Sequence, residues 1–410
     1  RGARADLRRG PARRRAESAP VPGRAHAGAP SPAAMRSARP ARPGSGVDLS
    51  DRAATPAGLA PDAGLNRPRP RSSRQKPRPM TDVPASQDGD LAFFEDLHPP
   101  ASDFRADVLA GLSRPQKALS PKYFYDRTGS EIFDRITQAP EYYVTRTELA
   151  LLDRIGPELR ELAGPGAVVL EPGAGSSVKV RKLIDALDQP AAFVGMDISG
   201  DHVKAACRDI ASDHPDLLVG AVCHDFTQGI DLSALPLPDG KRIVFFPGST
   251  IGNFELDGAL ALLQTLRGWL RAGDALLIGV DLRKDGAALE AAYDDAGGAT
   301  ADFNYNLLSR INAELGGTLD PSGFDYRAFW NPYRSRVEMY LQARRDMGFA
   351  VAGQDFVIRK DETIHTENSH KFTADTFQDL ARRAGLEART QCISEDTPFS
   401  IHWLEVSGEA

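Results

Sequence analysis

From residue 167 onward, short apolar runs take turns with stretches in which apolar residues recur every three or four positions. Residues 167–170, Ala192–Asp197, 219–223, 243–246 and 275–281 read as strands, and 177–187, 200–212 and 257–271 between them read as helices. Strands of a parallel sheet are buried on both faces, so they appear as unbroken apolar runs alternating with helices. After 281 this rhythm breaks. Residues 285–316 are helical with Ala and Leu, while 324–366 alternate in a strand-like way, as in Arg336-Val337-Glu338-Met339-Tyr340-Leu341. A helix over 373–384 and a strand over 399–406 resume the earlier pattern. Upstream, 93–112, 130–135 and 145–159 have helical character, the last with Thr145 as its cap. The pattern predicts an α/β fold. A Rossmann-like core spans 148–283 and is rejoined over 372–410, and an added α+β domain combines N-terminal helices over 86–147 with an insertion over 284–371.

Composition changes this picture mainly at one end. The chain has 410 residues, 41% hydrophobic and 26% charged, ordinary for a globular protein with more than one core. No apolar run approaches the roughly 18 residues that cross a bilayer, so no membrane partner is expected. Cys207, Cys223 and Cys392 are far apart without a Cys-x-x-Cys, which fits a reducing, cytoplasmic setting and offers no zinc site. Histidines at metal-binding spacing are also lacking, so no metal is expected.

The net charge of −6 conceals an asymmetry: the first 80 residues carry 18 Lys or Arg against 5 Asp or Glu, leaving 32 against 51 for the remainder. The basic stretch is rich in Arg, Pro, Ala, Gly and Ser with no sustained apolar period, which predicts a disordered tail over 1–85. It is open to three readings: a translated upstream region with the natural start at Met80, a basic arm touching nucleic acid, or an acid-poor transit peptide. The lack of amphipathicity and of interleaved aromatics favours the first. For the acidic remainder no nucleic-acid partner is expected, because phosphate binding needs clustered Lys and Arg.

The strand ends carry the candidate chemistry. Leu170-Glu171-Pro172-Gly173-Ala174-Gly175 is a strand that ends in an acid and a Gly-x-Gly turn. A dinucleotide fingerprint would place a third glycine or alanine where Val178 stands, and no Gly-Lys-Ser or Gly-Lys-Thr follows to make a P-loop. An acid at the strand end instead suits a ligand with an ammonium and a sulfonium, such as S-adenosyl-L-methionine. Asp197 ends the next strand about 20 residues on, the usual place for an acid that accepts the ribose hydroxyls. Asp225 and Phe226 follow the third strand, where a carboxylate can take an adenine amino group and a ring can cover the base. The fourth strand empties into Pro247-Gly248-Ser249-Thr250-Ile251-Gly252-Asn253. Ligands of open α/β sheets bind outside the carboxyl ends of the strands, so all four segments converge on one crevice.

Beyond the crevice, three blocks stand out near the start of the folded part: Pro121-Lys122-Tyr123-Phe124-Tyr125-Asp126-Arg127-Thr128-Gly129-Ser130, then Phe133-Asp134, then Pro140-Glu141-Tyr142-Tyr143-Val144-Thr145-Arg146-Thr147-Glu148. Together they closely resemble the N-terminal signature of the histidine Nα-methyltransferases of ergothioneine biosynthesis. The resemblance continues through Gly248-Ser249-Thr250-Ile251-Gly252-Asn253, Asp281-Leu282-Arg283-Lys284-Asp285, Ala292-Tyr293-Asp294-Asp295-Ala296 and Arg336-Val337-Glu338-Met339, covering about 91 to 406. It implies a class I methyltransferase core with a substrate-binding domain, and an S-adenosyl-L-methionine-dependent trimethylation of the α-amino group of L-histidine to hercynine.

The same resemblance places Tyr125, Gly173, Gly175, Lys179, Asp197, Asp225, Phe226 and Ser249 at the cofactor. It places Asn253 and Tyr293 at the amino acid's carboxylate, Tyr142 near the reacting amine, and Glu367 with Ser369 at the imidazole. Phe133 and Met339 become apolar walls, and a monomer is expected. Asn368 stands where an apolar residue is common in the family, and His365 and His370 flank the segment without a catalytic role. The alternatives are a methyltransferase of the same fold acting on another amino acid or small amine, and an inactive binding module.

Overall fold

A computed structural model describes residues 91–97, 103–175 and 177–406; the basic tail and Met80 lie outside the described residues. The described chain opens with β1 (Phe93–Asp96), α1 (Phe104–Leu112), β2 (Lys117–Ala118), α2 (Arg127–Gln138) and α3 (Tyr143–Ala163). An alternating stretch follows: β3 (Val168–Pro172), α4 (Ser177–Ala186), β4 (Ala192–Asp197), α5 (Gly200–Asp213), β5 (Leu218–Cys223), β6 (Arg242–Phe246), α6 (Leu256–Gly268) and β7 (Ala275–Asp281). Helices α7 (Gly286–Tyr293) and α8 (Ala299–Leu315) lead to β8 (Phe324–Asn331), β9 (Arg336–Ala343), β10 (Met347–Val351), β11 (Gln354–Ile358) and β12 (Thr363–His370). The chain ends with α9 (Ala374–Arg383), β13 (Leu386–Ile393) and β14 (Phe399–Val406).

Eight strands form one sheet in the order β1-β5-β4-β3-β6-β7-β14-β13, parallel from β1 to β7 and antiparallel at β14 and β13. The order reverses at β3, so a crevice opens beside its carboxyl end, where doubly wound sheets bind ligands. Successive side chains of a strand point to opposite faces. Val169, Phe193, Phe245 and Leu277 accordingly pack on one face, in a core shared with α3 and α8, while Val168, Val194, Val244 and Leu276 pack on the other with α6 and α9. A second sheet has the order β2-β12-β9-β8, and β10 pairs with β11 as a hairpin. The chain leaves the first sheet and returns to it at one point: Leu282 bridges Phe372, and the Arg283 amide donates to the Phe372 carbonyl at 2.8 Å.

Local structure departs from the sequence pattern at four places. Residues 93–96 are a strand rather than the start of a helix; they pair with β5 in a register that sets Phe93 opposite Gly220. A Cβ on Gly220 would lie 2.2 Å from the Phe93 ring, so this edge pairing depends on a side chain missing far away in sequence. Helix α3 starts at Tyr143 with Tyr142 at its cap position, two residues before Thr145. The 285–316 stretch is two helices, because Asp295 accepts the amides of Ala299 and Thr300 at 2.9 and 2.8 Å and Gly298 takes φ +73°, a cap with a left-handed turn before it. Strand β13 mixes polar with apolar residues and lies mostly exposed at the sheet edge, so it left no apolar run to read.

Candidate functional site

The parallel strands β5, β4, β3, β6 and β7 bring their carboxyl ends to one edge. Gly173 turns at φ +74°, and a Cβ there would sit 3.5 Å from the Phe226 ring; one on Gly175 would sit 3.2 Å from the His202 imidazole. Both glycines are exposed, forming an open cradle that a side chain would narrow. Asp197 accepts the Ser199 amide at 2.8 Å, and burial holds its carboxyl above the usual value, with that bond and His202 pulling the other way. Asp225 accepts the amide and hydroxyl of Thr227 at 3.0 and 2.6 Å. Phe226 beside it meets Phe246 edge-on at 5.7 Å.

Beneath the cradle Lys179 belongs to a charge cluster whose central member, Glu148, had no assigned role. Glu148 of α3 is 1% exposed; it accepts the Gly248 amide at 2.9 and 3.1 Å and pairs with Lys179 at 2.7 Å. Glu171 at the end of β3 is pushed up to about 8 by burial, with Glu148 adding to the rise and Lys179 opposing it. A Cβ on Gly279 would lie 1.8 Å from a Glu148 oxygen, so β7 makes room for the carboxylate. Ser249 is buried at φ +56°, a backbone region L-residues seldom enter. Its hydroxyl accepts the Asp281 amide at 2.9 Å, which ties the β6 loop to the end of β7.

Asp281 is completely buried and opens the second half of the site. Its carboxylate accepts from the Tyr143 hydroxyl at 2.8 Å, meets Lys371 at 2.6 Å and bonds Lys284. Burial alone would raise its carboxyl, but the two ammoniums outweigh that and hold it below the ordinary range. Lys284 is pushed down to about 8 by burial despite Asp281. Lys371 in turn donates to the Tyr293 hydroxyl at 2.7 Å and to Ser369 at 2.9 Å.

Aromatic rings from separate segments line the adjoining space. Tyr142 stands edge-on to Tyr293 at 6.0 Å and to Phe133 at 6.5 Å, and Phe133 meets Tyr125 at 5.6 Å. Phe303 of α8 joins Tyr125 and Phe133. Tyr125 keeps 47% of its surface exposed, yet burial of its hydroxyl end pushes its pKa well above normal, with Glu367, Tyr142, Tyr293 and Asp197 adding to the rise. It therefore touches both halves of the site.

A bulge in β12 between His365 and Glu367 re-aims this strand. The extra residue, Thr366, is anchored through its hydroxyl to Asn304 at 2.6 Å and to the Met339 carbonyl at 3.1 Å. Past the bulge, Glu367 stands opposite buried Met339 in register, and Ser369, two residues on, shares its face. No described residue donates a hydrogen bond to the Glu367 carboxylate, and burial pushes it up to about 8 against the pull of Lys371. Asn368 alternates to the other face, where it bonds His365 at 2.8 Å and Glu255 at 2.9 Å, so its polarity does not enter the pocket. Asn253 is half-buried on a turn packed against β12; its neighbour Gly252 would clash with the His370 carbonyl at 2.7 Å if it bore a Cβ.

Of the candidate residues read from the sequence, Tyr125, Phe133, Tyr142, Tyr293 and Ser369 form a chain of contacts, Met339 stands opposite Glu367, and Gly173 lies beside Phe226, while among the described residues no hydrogen bond or ring contact ties the Asn253 side chain to them. Missed were Glu148, Tyr143, Asp281, Lys284, Phe303 and Lys371. Glu148 did leave a signal, being a charge in register with the buried Leu151, Leu152, Ile155 and Leu159 of α3.

A family profile described as histidine-specific methyltransferase, SAM-dependent, matches residues 104–406. The chain belongs to that family. It is 40% identical to the histidine N-alpha-methyltransferase of Mycolicibacterium smegmatis over 291 residues, 70% of this chain and 89% of the relative. It is 28% identical to ergothioneine biosynthesis protein 1 of Neurospora crassa over 313 residues, 73% of this chain but only 35% of that longer protein. Among solved structures, an S-adenosylmethionine-dependent methyltransferase from Clostridium acetobutylicum aligns over 68% of this chain and 99% of its own, with 12% identity and a TM-score of 0.39. The protein is an S-adenosylmethionine-dependent methyltransferase. The open Gly173–Gly175 cradle and the carboxylates at the ends of β4 and just past β5 fit that molecule's adenosyl portion. Among the described residues no helix is long and apolar enough to cross a membrane.

Proposed function

We propose that this methyltransferase places three methyl groups on the α-amino nitrogen of L-histidine, giving hercynine, the first step of ergothioneine biosynthesis. The observation that carries the reading is Glu367: a buried carboxylate with no hydrogen-bond partner among the described residues, on the pocket face it shares with Ser369. Such a group needs a donor from a ligand, and an imidazole N–H supplies one. Asn253 and Tyr293 grip the carboxylate, Ser369 joins Glu367 at the ring, and Phe133 and Met339 form the walls. On the other side Tyr125, Gly173, Gly175, Lys179, Asp197, Asp225, Phe226 and Ser249 hold S-adenosylmethionine. When bound, that molecule supplies an electrophilic methyl carbon whose bond to sulfur breaks as the bond to nitrogen forms.

The chain itself needs no covalent nucleophile. Its task is to fix both ends of the amino acid so that a neutral amine faces the methyl group. Amino acids that leave Glu367 without a donor are disfavoured, since a buried polar group would stay unpaired. As the amine gains bulk and then a permanent charge, Tyr142 and Phe133 offer cation–π contact worth about 0.5–2 kcal/mol. The reading includes a monomer working in a reducing cytoplasm, which suits its three free cysteines. The test is mass spectrometry of the full chain with S-adenosylmethionine and an equimolar mixture of amino acids. Histidine should gain up to three methyl groups; methylation of another amino acid would overturn the imidazole reading, and no methylation would overturn the activity.

A further inference from the structure

Lys371 is 1% exposed, among the largest fully buried side chains of the protein, and the roles above do not use it. Its ammonium has three protons, and each has an acceptor: Asp281 at 2.6 Å, the Tyr293 hydroxyl at 2.7 Å and the Ser369 hydroxyl at 2.9 Å. An ammonium only donates, so both hydroxyl oxygens are acceptors toward it. Tyr293 and Ser369 are also 2.9 Å from each other. Two hydroxyls in contact place one proton between them, which leaves a single proton to point elsewhere.

We propose that Lys371 is a positioning residue that locks Tyr293 and Ser369 into one donor unit, so that a single hydroxyl proton is presented to the amino acid and its two ends are read jointly. The proposal rests on the functional reading above, in which these two hydroxyls serve opposite ends of the substrate. Asp281 supplies the counter-charge that allows a buried ammonium. Lys284 also bonds Asp281, so the cluster carries more positive than negative charge and favours an acceptor, such as a carboxylate, on the ligand. In this arrangement either hydroxyl can present the proton alone. Losing one should cost little, and losing both should cost far more than the sum.

Calorimetry of L-histidine binding to the full chain, with S-adenosylhomocysteine present, tests this on wild type, Tyr293→Phe, Ser369→Ala, the double variant and Lys371→Met. Each hydroxyl variant should lose less than about threefold in affinity, the double variant more than about thirtyfold, and Lys371→Met about tenfold or more. Affinity for S-adenosylhomocysteine should stay within about twofold throughout, which separates positioning from loss of fold. A Lys371→Met protein that binds histidine as wild type does would overturn the proposal. So would independent, additive losses for the two hydroxyls, a result that stands even if Lys371→Met does not fold. If wild type binds another amino acid instead, the same cycle on that ligand decides this proposal while the histidine reading falls; binding of none overturns both.

Discussion

At the strand ends of the crevice two carboxylates are held by their own neighbours: Asp197 by the amide of Ser199 and Asp225 by the amide of Thr227. In the amino-acid pocket the partners come from far along the chain, with Asp281 against Lys371 and Tyr293 against Ser369. The first arrangement is a property of strand ends, where a carboxylate caps the turn that follows it. The second exists only when the insertion folds back over the sheet. Its charges are buried, so each partner that is lost leaves an uncompensated group behind. On the proposed reading, binding the methyl donor and choosing the acceptor are separable tasks, joined mainly through Ser249, Asp281 and Tyr125.

The sharpest challenge to that contrast is Asp281→Asn. It leaves two buried ammoniums facing each other without a counter-charge and should destabilise the protein by about 3–5 kcal/mol in urea denaturation. A loss under about 1 kcal/mol would mean the cluster is not a structural unit. Next is Gly279→Ala, whose Cβ would lie 1.8 Å from Glu148. Displacing that carboxylate should cost about 1–3 kcal/mol and also weaken S-adenosylhomocysteine binding through Lys179; unchanged binding would detach Glu148 from the cofactor half.

A pair of substitutions then separates the halves directly. Asp197→Ala should weaken S-adenosylmethionine at least about tenfold, near 1.4 kcal/mol, with little change in the histidine KM. Glu367→Ala should do the reverse, and steady-state kinetics in which both variants lose the same ligand would erase the distinction. The smallest effect concerns pH. Burial raises Glu367 from 4.5 to about 8, so between those values the folded chain holds a proton the unfolded chain has lost, and stability falls as pH rises through that window. Glu367→Gln, which cannot ionise, should raise Tm above pH 8 and lose the advantage below pH 4.5. The gain is limited because the amide is also buried without a partner. A difference in Tm that does not vary with pH would show that burial leaves the Glu367 pKa where it stands in the unfolded chain.

The strand ends that border the crevice were legible because their signals are local. A glycine turn, an acid at the end of β4 and an acid with an aromatic just past β5 follow from strand geometry and need no knowledge of the insertion. The roles proposed for Tyr142, Tyr293, Glu367 and Ser369 came from resemblance, since core tyrosines and exposed glutamates look the same in a sequence. Edge strands β1 and β13 escaped because one is too short and the other too irregularly mixed to carry a period.

The sequence by itself determined the parallel core and the glycine turn and acids at its strand ends, because backbone turns and alternating burial act over a few residues. Only the tertiary structure decided that Lys371 would meet Asp281, Tyr293 and Ser369, that a bulge at Thr366 would set Glu367 opposite Met339, and that Gly279 would make room for Glu148. Those contacts join residues far apart in the chain, and the low polarity that gives them their strength arises only once the insertion covers the sheet.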